Sequence, residues 1–141
     1  AICNSFKQEI LEAEHNFTAS TGNTFNLALY TSSATLGAGT TAYTSSNEIT
    51  NTSGTAYTAK GKALTSVTPT LDSSTAVCDF ADVSWTSASF TANGCLIFND
   101  SHSTDAAVCA VAFGGDKTVS SGTFTIQFPA AAATTAIIRI A

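Results

Sequence analysis

Short segments in which apolar side chains recur at every second position set the limits on this fold. They read 75-TAVCDF-80, 90-FTANGCLIF-98, 108-VCAVAF-113, 123-TFTIQF-128 and 136-AIIRI-140. A period of two matches strands with one buried face, and polar or glycine-rich stretches separate the segments. Many short strands in this spacing predict an all-β, jelly-roll-like β-sandwich. An immunoglobulin-like sandwich is the alternative, but the Cys–Trp–Cys spacing of that fold is missing. The chain of 141 residues fits a single domain over 1–141, long enough to build a core without disulfides or metal.

The earlier part of the chain is read the same way. The segment 24-TFNLALY-30 alternates Phe25, Leu27 and Leu29 against Asn26, Ala28 and Tyr30. A long loop over about 31–54 follows, with Tyr43 and Ile49 as its anchors; loops of that length are functional or held by a partner. The segment 62-KALTSV-67 is expected as one strand ended by Pro69, and 83-VSW-85 as a separate short strand. Asn93-Gly94 is read as a bulge within one strand and 114-GGDK-117 as a turn. The core is expected to contain Phe80, Leu96, Phe98, Val111, Phe113, Phe124, Ile126, Phe128 and Ile138. Only the N-terminus departs from the strand pattern. Asn4 or Ser5 can cap a short helix over about 5–15, with Gln8 as a capping-box partner of Ser5. Phe6, Ile10, Leu11 and Phe17 make its apolar side, which covers an edge or open end of the sheets.

Composition bounds the function. About three residues in ten are Thr or Ser, which favour extended backbone and coat a sheet with uncharged polar groups. Only 11% of residues are charged, with a formal net charge of -5. Such a surface belongs either to a Thr-rich β protein or to a chain largely buried in an assembly, where charges would be costly to desolvate. Lys7, Lys60, Lys62, Lys117 and Arg139 form no basic run, so no nucleic-acid partner is expected. No secretory signal or membrane-spanning stretch is read, so no membrane partner is expected either. The numbering starts at Ala1 and the chain lacks Met. Removal of an initiator Met before a small residue is the expectation, and with it synthesis in a cytosol and not export.

Catalytic and metal chemistry find little purchase. His102 lies among Ser101, Ser103 and Asp105, but neighbours in sequence rarely reach triad geometry, and no nucleophile elbow is present. Asp79 and Asp82 could meet Asp100 or Asp105 around a cation, yet no calcium-loop pattern accompanies them. Cys3, Cys78, Cys95 and Cys109 match no metal spacing. Most sit among strand hydrophobes as buried thiols, with one cross-strand disulfide left open. The expectation is a protein that is not an enzyme and has no cofactor. Its contacts to other proteins are assigned to Tyr43, Ile49, Tyr57 and Trp85, to the long loop, and to the terminal strand 136–141. Tyr and Trp are common interface anchors.

Several segments together carry a resemblance: 4-NSFKQEIL-11, 24-TFNLALYTSSATLGAGTTAYTSSNEI-49, 79-DFADVSWTSASFTANGCLIFN-99 and 110-AVAFGGDKTVSSGTFTIQFPAAAATTAIIRIA-141. Their order resembles a family of small virion proteins of tailed bacteriophages, most of all the capsid cement or decoration proteins of short-tailed phages. The resemblance implies a jelly-roll subunit on the outer face of a shell built by a major capsid protein, commonly acting as a homodimer. It implies no catalytic residues. A tail or surface-adhesion component of the virion is the alternative.

Overall fold

A computed structural model describes all of residues 1–141. It is built from one helix, α1 (Asn4–Leu11), and seven strands. These are β1 (Phe25–Tyr30), β2 (Lys62–Ala63), β3 (Ser66–Asp72), β4 (Thr75–Phe80), β5 (Val83–Asn99), β6 (Ala107–Ile126) and β7 (Ile138–Ile140). They form two antiparallel sheets, a four-stranded one in the order β2-β1-β5-β6 and a three-stranded one in the order β3-β4-β7.

The all-β reading and the sandwich-like layering hold. β1 is buried on both faces, more than simple alternation would give. Leu27 and Leu29 share a face with their cross-strand neighbours Ile97 and Cys95. On the opposite face, Phe98 carries the ring of Tyr43 from the long loop at 4.9 Å. That loop is stitched to the sheet by its backbone. Ile49 donates its N–H to Leu29 O, and Ala107 donates to Thr41 O. Gly61 then runs against β1 so closely that a Cβ there would lie 1.8 Å from Leu27 O; its φ of +68° also favours glycine.

Strand boundaries correct the sequence reading in three places. The segment 83-VSW-85 is the start of β5, which continues to Asn99 through several register shifts. The 114-GGDK-117 stretch does not reverse the chain. Between the pairs Ala92↔Lys117 and Gly94↔Ala112, the single residue Asn93 faces Phe113 to Asp116, so β6 bulges outward and then resumes. Gly114 and Gly115 supply the positive φ that this excursion needs. The irregularity expected at Asn93-Gly94 is there. Third, 62–67 is not one strand ended by Pro69: β2 stops at Ala63, and Pro69 lies inside β3. β3 is an edge strand, where a missing N–H is tolerated, and its register shifts between Val67 and Thr70.

The helix is shorter than 5–15 and starts earlier. Cys3 is its N-cap, but its thiol donates to Gly37 O and does not cap the helix. Gln8 donates to Glu12 instead of closing a capping box, and the buried Ser5 Oγ has no partner. Ala13 takes a φ of 62°, which turns the chain and swings His15 inward. α1 buries Phe6 against His15 and Phe17, and Ile2 just before it bridges to Cys109 of β6.

Of the residues expected in the core, Phe80, Leu96, Phe98 and Ile138 are buried. Val111, Phe113, Phe124, Ile126 and Phe128 are only half-buried. They alternate with exposed residues, as a strand face should, and of the five Phe128 meets the smaller sheet at Phe80 of β4, 5.4 Å between ring centroids.

Candidate interaction surface

The four residues assigned to protein contacts lie mostly inside the subunit. Ile49, Tyr57 and Trp85 are 6%, 2% and 1% exposed, and Tyr43 is half-buried. As folded, the first three present no surface to a partner, because each fills space between the sheet and the chain that wraps it. Tyr57 and Trp85 pack at 6.1 Å, and Phe90 meets both edge-on.

Glu48 organises this region. One carboxylate oxygen accepts from Tyr57 Oη at 2.6 Å and from Lys60 N at 2.7 Å, and the other accepts from Tyr43 Oη. Tyr57 Oη in turn accepts from the N–H of Leu29 at 2.9 Å. Lys60 Nζ closes the group on Asp100 and Asp105 at 3.0 and 2.8 Å. Burial, then the bond to Glu48, pushes the Tyr43 phenol up from 10.0 to about 12. Burial raises Tyr57 and Tyr30 further. These phenols therefore serve as donors that tie the loop down.

The candidate chemistry is also absorbed into structure. His15 Nδ1 faces Asn99 Nδ2 at 3.1 Å and its Nε2 faces Glu9 at 2.7 Å. Asn99 Oδ1 accepts from Ser101 N, which orients the amide so that His15 Nδ1 is an acceptor and Nε2–H donates. His102 bonds Glu14 and Thr104, not Ser101, Ser103 or Asp105 through its ring. Asp79 accepts from Phe80 N and Asp82 from Phe128 N. No three His, Cys, Asp or Glu side chains are placed to hold a metal. All four cysteines are free and buried, and burial raises the thiols, Cys78 to about 11 and Cys109 to about 12.

Two apolar features remain. The first is the end of the smaller sheet beside α1. Leu11, Leu71 and Ile140 are 87%, 72% and 55% exposed. Leu71 faces Ala76, and Ala76 faces Ile140, so the three form one cross-strand row. Leu11 and Ile140 line a common groove with Ile2 and Ile10. Of these, Ile140 was legible as part of a terminal strand with apolar residues on both faces. Leu71 was not, because a lone Leu in a Thr-rich hairpin carries no periodic signal.

The second feature is a cleft of about 520 Å³ at the half-closed face of β6, bounded also by Leu27, Cys95, Ile97, Pro129 and Ile137. Its wall is the five half-buried residues of β6 and its extension, Val111, Phe113, Phe124, Ile126 and Phe128.

The chain matches no protein-family model, no curated protein and no solved structure. No helix is long and apolar enough to cross a membrane.

Proposed function

We propose that this chain is a non-enzymatic structural protein of a phage virion, a capsid decoration or cement protein. The observation that carries the reading is the exposed apolar row of Leu71 and Ile140 across Ala76, with Leu11 of α1 in the groove beside Ile140, on a domain whose polar clusters serve its own fold. Contiguous exposed apolar surface marks a docking site, and this row would seat on the outer face of the major capsid shell. The sequence resemblance supplies the major capsid protein as partner, a homodimer as the working unit and the phage head as location. The jelly-roll-like arrangement belongs to the same reading, with seven strands in two sheets as its support. A clamp that binds the closed shell and not loose subunits stabilises the shell by mass action. Many copies make modest contacts sufficient.

The test is decoration of purified heads lacking the protein, followed by a map of the particle. Wild-type protein should occupy regular positions between capsomers and raise the temperature at which heads burst. Leu71→Asp with Ile140→Asp should fold normally and lose at least about tenfold in affinity, since each buried Leu or Ile contributes about 1.5–3 kcal/mol. Undiminished binding by that variant would refute the docking row. Copies confined to the tail would refute cementing and favour a tail or adhesion component.

A further inference from the structure

The cleft along β6 is a second site, separate from the docking row. Its volume of about 520 Å³ falls within the range of small-molecule sites. Its floor, Leu27, Cys95 and Ile97, is buried core, while Phe113, Phe124 and Phe128 keep part of their rings open to solvent. Leaving concave apolar surface wet is unfavourable, so an occupant would be stabilised by covering it.

The chemistry of that occupant follows from the polar groups present. Lys117 is the only charged residue lining the cleft. It pairs across the strands with Ala92, which is fully buried in the core, so Lys117 springs from the core-facing side of β6. It takes part in none of the ion pairs of the molecule. The adjacent Asp116 is engaged by Asn93 at 2.9 Å. Thr125 and Gln127 are the other polar side chains of the cleft, and nine of its thirteen lining residues are apolar, so an extended peptide that did not pair with the β6 edge would set backbone N–H and C=O groups against apolar walls. A hydrocarbon chain brings none, and a carboxylate at its end would meet the unpaired ammonium.

We infer that the cleft binds a fatty acid, its chain along the Phe113–Phe124–Phe128 wall and its carboxylate on Lys117 Nζ. The competing role of Lys117 is that of an inward charge guarding the edge strand β6 against aggregation. That role requires no ligand.

The intact protein is titrated with cis-parinaric acid, whose fluorescence rises in apolar surroundings, and the probe is then displaced with laurate or with lauryl alcohol. Saturable binding at one probe per chain is expected. Lys117→Gln should weaken laurate about fivefold, the scale of a partly exposed ion pair, and leave the alcohol unchanged. Val111→Trp, which fills the cleft, should block both; if it does not fold, Phe128→Asp takes its place. Absence of saturable binding overturns the inference and leaves the edge-guard role. Equal loss of laurate and alcohol in Lys117→Gln overturns the assigned carboxylate contact. Unchanged binding in the cleft variant overturns the location.

Discussion

Replacing Tyr57 with Phe isolates the bond that fastens the long loop to β1. The ring stays, so packing against Trp85 and Phe90 is kept. The hydroxyl alone is lost, and with it two bonds. Leu29, fully buried, is left with an N–H that no longer has its acceptor. An unsatisfied buried donor costs about 1–3 kcal/mol. Glu48 loses one of three donors but keeps Tyr43 Oη and Lys60 N, so its share is smaller, about 1 kcal/mol. The sum is about 3 kcal/mol, a fall in melting temperature of about 10 °C for a domain of this size. Urea unfolding of the isolated protein measures it. A cycle with Glu48→Gln should return a coupling of about 1–2 kcal/mol, because the two side chains touch. A loss below about 0.5 kcal/mol, ordinary for a surface change, would refute the argument. It would mean that the loop is held elsewhere and Tyr57 is free to serve a partner.

Other consequences can be checked independently. Gly61→Ala should destabilise by about 3 kcal/mol in thermal melts, since its Cβ would sit 1.8 Å from Leu27 O and its φ disfavours any side chain. Tyr43 keeps its proton in the folded state up to about pH 12, whereas an ordinary phenol releases it near 10.0. The folded state thus binds more protons across that window, so its stability is intact below pH 10.0 and falls as pH rises toward 12. Tyrosinate absorbance recorded with circular dichroism should show ionisation of the buried phenols coinciding with unfolding. The cysteines should resist thiol reagents at neutral pH and react together only on denaturation, because burial disfavours each thiolate.

Regular alternation made the strands legible, and irregular backbone hid their extent. β1 and β4 appear in the sequence almost as they fold, since their turns carry ordinary signals. β5 and β6 run through bulges at Asn93 and at Gly114-Gly115, residues that ordinarily mark a reversal. Nothing local distinguishes a strand that bulges and continues from one that ends. Three of the four residues assigned to contacts, Ile49, Tyr57 and Trp85, pack inside the subunit for a related reason. An aromatic beside a long polar loop is a surface anchor or the loop's own bolt, depending on whether the loop folds back. That depends on Glu48 and Gly61, which are unremarkable letters in the sequence. The exposed apolar row needed the register between β3, β4 and β7 to align Leu71 and Ile140 on either side of Ala76.

The bridge between Ile2 and Cys109 reaches beyond stability. The first residues of the chain find their place only on a strand whose far side is already paired to β5. The start of β6 must therefore be made before Ile2 and Cys3 reach their strand partners, while Phe6 of α1 has His15 and Phe17 close by in the chain. Non-local pairing of this kind slows folding. Ile2 stays without its strand partner until the start of β6 is made, which leaves an early adhesive surface if β6 is delayed.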